Sequence, residues 1–415
     1  MPIQPKAVHV PRNSLKEKKV LLVVENNSVP FDRRVWREAV ALRDCGLLVR
    51  IICPKDRNES KSFESHRGIE IYRYPVRFSR GSLPGYFLEY TWSFFAITYL
   101  SMRIYFRRGG FDVIHIGNPP DIYWPLGVFL KILGVKYIFD EHDLWPEMFQ
   151  AKFNGRSLAK KAIYLVLKTQ EYLSIKIADA IIVTNESYRR LALKRGHIKQ
   201  DKVYIVRNGP DTREFKVVEP VKKWKFGRPH MAAYLGIMAS FDGVDYLIRA
   251  VQYIVNVLGR RDITFVLVGF GEKYASLVKM VDILDLDSFI KFTGRAERGK
   301  IMQILSTADV CVDPDPYNTY NNYSSMTKIM EYMACRSPIV AFRLKENVFS
   351  AQDAALFVRG YTPAALANGI IRLIDDKKLS RRMSRAGYKR LNDQLSWEKQ
   401  QQNLINAYTS LFSSD

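Results

Sequence analysis

The stretch VYIVRNGPDTREFKVVEPVKKWKFGRPHMAAYL, residues 203–235, decides how the rest of the chain is read. It opens on a short β-branched run and breaks at Asn208-Gly209-Pro210-Asp211, which is turn chemistry. The residues from there to Pro229 are Lys-rich, keep no apolar period and, with Pro210, carry three prolines. A second apolar run then begins at Met231. A pattern that stops, crosses a linker and restarts predicts two domains, as a length of 415 residues also does.

Outward from this break, short β-branched runs alternate with longer helical ones, the mark of parallel α/β layers. Before it, strands are predicted over 20–24, 49–53, 69–74, 113–116, 137–140, 180–183 and 203–206. After it, they are predicted over 231–235, 264–268, 290–293, 310–312, 339–342 and 356–358. Helical stretches at 32–45 and 122–133 are closed by Gly46 and Gly134, the expected C-terminal stops. A last amphipathic helix is predicted over 397–412. The domains expected are 1–212, 213–395 and a C-terminal helix over 396–415. Two such arrays would bind ligands at the carboxyl ends of their strands, in a cleft.

The formal charge is +22, unevenly placed: 35 Lys/Arg against 20 Asp/Glu up to Pro210, and 29 against 22 beyond it. A basic surface attracts polyanions, whether nucleic acid, anionic lipid or phosphorylated substrate. No nucleic-acid module signature is present, and the basic residues are spread over alternating elements, so an anionic membrane surface is the preferred partner and nucleic acid the last. A basic, merely soluble face is the alternative. The most lipid-like segment, YTWSFFAITYLSM at 90–102, is flanked by Glu89 and Arg103 and is shorter than the roughly 20 residues that span a bilayer. It reads as well as a buried core helix. Residues 1–19 are polar and basic, without the apolar run of a signal peptide. Cys45, Cys53, Cys311 and Cys335 show no metal or redox spacing and read as buried free thiols of a reducing, cytoplasmic compartment.

Chemistry concentrates at Ser324-Ser325-Met326-Thr327-Lys328-Ile329-Met330-Glu331, between a strand ending in Asp313-Pro314-Asp315 and another starting at Pro338. A helix starting near Ser325 would aim its N–H groups at an anion such as a diphosphate. Lys328 would add a formal charge, and Glu331, one turn on, could accept both hydroxyls of a ribose. An ordinary Ser-capped helix with an i,i+3 charge pair fits the same letters. Asp32, Arg33, Arg34 and Glu38 open a helix after the first strand; they read either as helix capping or as cations facing phosphate or a phosphorylated acceptor. Gly269-Phe270-Gly271 allows close approach of a nucleotide or makes a tight turn. Asp313-Pro314-Asp315 mimics an Asp-x-Asp metal site, but the intervening proline argues against one; His66, His115 and His230 fall at no ligand spacing.

The segment Lys328-Ile329-Met330-Glu331-Tyr332-Met333-Ala334 resembles a signature of retaining glycosyltransferases of the GT-B fold, family GT4, bacterial surface-polysaccharide branch. Val29-Pro30-Phe31-Asp32-Arg33-Arg34-Val35-Trp36-Arg37-Glu38-Ala39, Asn118-Pro119-Pro120-Asp121, Asp140-Glu141-His142-Asp143-Leu144-Trp145-Pro146-Glu147, Tyr234-Leu235-Gly236 with Asp242-Gly243-Val244-Asp245, and Ala351-Gln352-Asp353-Ala354 resemble further signatures, in order. The resemblance implies two Rossmann-like domains facing across a cleft, with the C-terminal helix crossing back to the first. It implies a nucleotide-sugar donor, UDP favoured, on the second domain and a lipid-linked or saccharide acceptor on the first. The enzyme would be cytoplasmic, peripheral on the inner membrane face, and would work without a metal or other cofactor. Glu331 would hold the ribose, Ser324, Ser325, Met326, Thr327 and Lys328 the diphosphate, Arg295 and Gly271 would line the donor, and His142 would lie at the sugar.

Two departures stand out. Tyr323 occupies the position where many relatives carry Glu, and 238–243 lacks the Arg and Lys often found there. Diphosphate stabilisation would then fall to Lys328, the helix end and Arg295. A sugar-nucleotide 2-epimerase of the same fold and a non-catalytic nucleotide-sugar-binding partner remain alternatives. The residues name neither an oligomeric state nor a particular sugar.

Overall fold

The computed structural model describes residues 15–56, 61–76, 83–153 and 157–413. Most of the N-terminal segment 1–19 therefore lies outside the described residues. The chain divides into two units, one of Met1–Gln150, Gly155–Val206 and Gln401–Asp415, the other of Ala151–Asn154 and Arg207–Gln400.

The first unit is built on eight strands: β1 (Lys19–Val23), β2 (Leu48–Pro54), β3 (Phe63–His66), β4 (Ile69–Tyr74), β5 (Val113–Gly117), β6 (Lys136–Glu141), β7 (Ala180–Val183) and β8 (Val203–Ile205). Their order in the sheet is β3-β4-β2-β1-β5-β6-β7-β8, and only the β3–β4 pairing is antiparallel. Central strands such as β5 and β7 are buried along their whole length because helices cover both faces. Those helices are α1 (Arg33–Asp44), α2 (Leu83–Arg107), α3 (Trp124–Ile132), α4 (Trp145–Lys152), α5 (Leu158–Ile177) and α6 (Glu186–Gly196). The chain leaves β1 toward β2 but returns from β4 past β1 to β5, so the direction of travel reverses between β1 and β5. Right-handed crossovers then put α1 on one face of the sheet and α2, α3 and α5 on the other. The loops after β1, β5 and β6 meet at this reversal, where open α/β sheets carry ligands.

The second unit holds β9 (His230–Leu235), β10 (Ile263–Val268), β11 (Ile290–Gly294), β12 (Val310–Asp313), β13 (Ile339–Phe342) and β14 (Ala355–Val358), in the all-parallel order β11-β10-β9-β12-β13-β14. One face packs on Leu247, Val251, Leu366 and Ile370, the other on Ile304, Ile329 and Met330.

Each expected strand is present, most within a residue of its predicted ends. The strand not foreseen is β3, whose sequence FESH holds one apolar residue and lies largely exposed at the sheet edge. The final helix spans Trp397–Phe412 as expected. Three cysteines are buried, whereas Cys45, at the C-cap of α1, is only half-buried.

Candidate functional site

In the second unit the strand ends form a polar cluster around one lysine. The helix Thr327–Ala334 follows β12, and its second residue, Lys328, is buried. Its ammonium donates to Asp315 Oδ1 at 2.7 Å, lies 3.2 Å from Asp313 Oδ1 and stands 5.1 Å from the centre of the Tyr234 ring. Burial alone would lower the Lys328 pKa, but Asp315, Tyr234, Asp313 and Asp242 outweigh it and hold the ammonium well above its ordinary value. Burial, with Asp313 beside it, pushes the Asp315 carboxyl well up. The expected i,i+3 partner is thus replaced by carboxylates from the strand end, and the Asp-x-Asp pair faces a lysine.

The helix starts two residues later than expected, with Met326 at its N-cap and no side-chain cap. Ser324 turns back instead, its Oγ donating to the Tyr320 carbonyl at 2.8 Å. A Ser-capped start is therefore not what these residues form. The loop 324–327 leads into this uncapped end, where the macrodipole favours an anion. Glu331 lies one turn further on and is 8% exposed. Arg207, 118 residues earlier, donates from Nη1 to Ser325 Oγ at 3.3 Å, pairs with Glu346 at 3.5 Å and stacks on Phe349 at 4.1 Å. It places a buried cation beside the loop, which no motif had marked. Arg295 is exposed and lies over the Phe270 ring, 4.3 Å from its centre. Gly269 takes φ +145°, and a Cβ there would strike the Gly236 carbonyl oxygen at 1.8 Å; one on Gly271 would meet the Met238 backbone at 2.5 Å. The close approach that these glycines permit is thus to the neighbouring loop 236–238. Lys345 stands 5.3 Å from the centre of the Tyr323 ring.

In the first unit the predicted residues separate. Asp32 caps α1, accepting from the Arg34 and Val35 amides at 3.1 and 3.0 Å. Arg33 is exposed, whereas Arg34 turns inward. Its guanidinium donates to both oxygens of Asp140 at 2.8 and 3.2 Å and to the Val206 carbonyl at 2.9 Å, and it lies 3.1 Å from Glu38. A side chain expected to face phosphate is instead a buried counter-ion.

Asp140 is shared further. Its Oδ2 is 2.6 Å from His142 Nε2 and 3.3 Å from His115 Nε2, and His115 Nδ1 is 2.7 Å from Tyr408 Oη on the C-terminal helix. Burial would raise the Asp140 pKa, but Arg34 and the two imidazoles take it well below the usual value. Burial would lower that of His142, but Asp140 prevails and raises it. Glu38 is pushed up by burial against the pull of Arg34. Asp140, Glu38 and His115 have metal-ligand atom types within 4.8 Å of one another, a grouping invisible to spacing because the sheet assembles it. The positive charge there is already supplied by Arg34.

The His142 loop is fixed from below. Asn118 Oδ1 accepts from the His142 and Asp143 amides at 2.6 and 3.1 Å, and its Nδ2 donates to Asp121 Oδ1 and the Asp143 carbonyl, both at 2.8 Å. The imidazole rests on Gly117, where a Cβ would come within 2.9 Å of the ring. Beneath it, Asp121, Glu141 and Glu171 gather near Arg195. Burial pushes the Glu171 carboxyl up to about 7, Arg195 opposing. A folded-state pKa above the ordinary 4.5 favours the fold fully below that value, and this contribution is lost as pH rises through about 7. Glu171→Gln is expected to flatten the fall in Tm of the wild type between pH 5 and pH 8, as differential scanning fluorimetry would show.

Residues 32–209 match the family described as "Glycosyl transferase 4-like domain", and residues 229–376 match "Glycosyl transferases group 1". The chain is 22% identical over 347 residues to a protein of Methanocaldococcus jannaschii described as an uncharacterized glycosyltransferase, covering 82% of this chain and 84% of that one. Sucrose-phosphate synthase from Thermosynechococcus elongatus superposes with a TM-score of 0.75 at 18% identity, over 96% of this chain and 100% of the other. HepE of Anabaena, in complex with UDP and glucose, superposes with a TM-score of 0.69 at 13% identity, over 95% and 100%.

Proposed function

The chain is a glycosyltransferase of the GT-B fold belonging to glycosyl transferases group 1, and we propose that it moves a hexose from a UDP-sugar to a lipid-linked or saccharide acceptor in surface-polysaccharide synthesis, with retention and without a metal. The observation that carries this reading is the uncapped start of the helix Thr327–Ala334, with Ser325 and Arg207 beside it and Glu331 one turn on. Glu331 accepts from the ribose hydroxyls, and the loop 324–327 with the helix N–H groups holds the diphosphate. As the bond from the anomeric carbon to the diphosphate oxygen breaks, its electron pair goes to the departing UDP. Fixed dipoles and cations aimed at that charge lower the barrier without reorganising. Lys328 is a cation held protonated in this cluster, and Asp313 and Asp315, the carboxylates a metal would use, face it. The UDP bound to HepE supports this choice of base. His142, in the first unit, offers its imidazole to a substrate hydroxyl.

Thermal-shift titration tests the donor site. A UDP-sugar at about a hundred times its Kd is expected to stabilise by about 2.7 kcal/mol, raising Tm by about 5–10 °C for a unit of this size. GDP-sugars are expected to do less, and Glu331→Ala is expected to abolish the shift. Stabilisation by no nucleotide-sugar, or a shift that Glu331→Ala leaves intact, would overturn the reading.

Arg207 stands in for the basic residues absent from 238–243. Arg207→Ala is expected to weaken UDP binding about tenfold, the loss of one charge-assisted contact of about 1.4 kcal/mol. Arg207→Lys is expected to fall between, since lysine keeps the charge but not the fork. Isothermal titration with UDP reads both.

A further inference from the structure

His115 stands in the middle of β5, between Ile114 and Ile116, and is buried. In the parallel register of β5 and β6, Gly117 pairs with Asp140, so His115, Gly117 and Asp140 point to one face of the sheet. Without a side chain, Gly117 leaves room on that face for the His142 ring. Arg34 and Glu38 approach it from α1. One more contact comes from the far end of the chain. The helix Trp397–Phe412 buries Leu404, Ala407, Tyr408 and Leu411, an i, i+3, i+4, i+7 stripe, and this part of it belongs to the first unit. Phenylalanine would fill the place of Tyr408 in that stripe. Tyrosine adds a hydroxyl that burial penalises unless it is paired, and the pair it finds is His115 Nδ1 at 2.7 Å.

The donors and acceptors allow one direction for this chain of contacts. Asp140 is held ionised, so its carboxylate only accepts. Both imidazoles therefore present N–H groups to its Oδ2, His142 from Nε2 at 2.6 Å and His115 from Nε2 at 3.3 Å. Glu38 Oε2 lies 3.9 Å from the same His115 nitrogen, beyond hydrogen-bond reach. With Nε2 protonated, a neutral His115 has its lone pair on Nδ1. Burial keeps the Tyr408 phenol protonated, so its O–H donates to that lone pair. A charge on His115 would add a third cation to Arg34 and a protonated His142, against two carboxylates in a deeply buried set. Tyr408 thus donates to His115, His115 donates to Asp140, and Asp140 Oδ2 is shared between His115 and His142.

We propose that Tyr408 and His115 are further positioning residues for His142. Tyr408 holds His115 in its Nε2–H form, and His115 takes part of Asp140 Oδ2, so the final helix sets how tightly Asp140 grips the His142 imidazole. Removing either partner gives Asp140 more fully to His142 and favours the protonated form of that ring. The groups that face this set are Asp32, Arg34 and Glu38 at α1, Asp140 and His142 at the end of β6, His115 on β5 and Tyr408 on the final helix. This rests on the transferase reading only for its effect on kcat; the protonation of His142 needs no substrate.

The test follows the imidazole nitrogens of the full chain, isotope-labelled at its six histidines, by NMR across pH and without substrate. His142→Gln and His115→Leu assign the two signals. His115 is expected in the Nε2–H form in the unaltered chain. Tyr408→Phe is expected to raise the titration midpoint of His142 on the order of half a pH unit, the weight of one weak shared hydrogen bond. His115→Leu is expected to raise it at least as far, and Asp140→Asn to lower it. A merely structural role for Tyr408 would lower Tm and leave the midpoint in place. Should a variant fail to fold, the unaltered chain decides on its own, since His115 in the Nδ1–H form would overturn the proposal. So would a His142 midpoint that Tyr408→Phe and His115→Leu both leave unmoved or lower. With turnover read as UDP release from a UDP-sugar, the His142 limb of the kcat–pH profile is expected to rise with the midpoint, while KM for the donor changes little. No turnover with any nucleotide-sugar would count against the transferase reading, and the midpoints would still judge the role of Tyr408 and His115.

Discussion

Lys328→Met is expected to cost the second unit about 3–5 kcal/mol, because it removes the cation from a buried pair and leaves carboxylates uncompensated. Three acids converge on this ammonium: Asp315 at 2.7 Å, Asp313 at 3.2 Å, and Asp242 near enough to raise its pKa. Asp242 is itself tied to the Ala239 amide at 2.8 Å, and Asp313 accepts from Asn347 at 2.5 Å, so none can swing out to water. A loss of this size corresponds to a fall in Tm of about 6–20 °C. Adding Asp313→Asn removes the stranded charge and is expected to restore most of that Tm. Turnover is expected to stay down about a hundredfold or more in the double variant, as when one fixed donor is taken from a developing anion. Recovery of both Tm and kcat would make Lys328 a structural counter-ion and nothing else.

The strands were legible because their letters sit where parallel sheets need them: 180–183 and 310–312 are short apolar runs between helical stretches, buried on both sides. β3 was not, since an edge strand of four residues needs no apolar pattern. In the site, Ser325, Lys328 and Glu331 share one loop and helix, so their proximity could be read from spacing. Arg207 reaches Ser325 across 118 residues, and Asp140 meets Arg34 across 106, contacts made by the sheets and invisible to local pattern. The direction of a side chain was equally hidden: Arg33 and Arg34 are neighbours in sequence, yet α1 turns one outward and buries the other against Asp140. The signal that could have found this was in the motif itself, where Asp140 stands two residues before His142 on the same strand edge, a spacing that puts both side chains on one face.

That spacing leads to the second large effect, on kcat. Asp140→Asn and His142→Ala are each expected to lower kcat about a hundredfold or more, and the double variant is expected to lose little beyond either one. Groups that act as a unit are non-additive in this way. Under the proposed reading Asp140 acts as a positioning residue: its carboxylate lies 2.6 Å from Nε2 of the imidazole and raises its pKa, which would leave Nδ1 to meet a substrate hydroxyl. An asparagine keeps the shape but not the charge, so the kcat–pH profile of Asp140→Asn is expected to move its His142 limb to lower pH, while KM for the donor changes little. A purely structural role for Asp140 would lower Tm and active enzyme concentration without moving that limb. The folded-state pKa of His142 is raised, so its contribution is present below the ordinary value near 6.5 and lost as pH rises through the shifted one. Asp140 works the other way, stabilising above its ordinary 3.8 and losing that contribution as pH falls through its depressed value. Its replacement should therefore cost stability at neutral pH, where Arg34 would lose its two-pronged carboxylate partner, and the kcat comparison is best read at a temperature where both proteins remain folded. Multiplying losses in the double variant, or an unshifted pH limb in Asp140→Asn, would show that the two residues do not act as one.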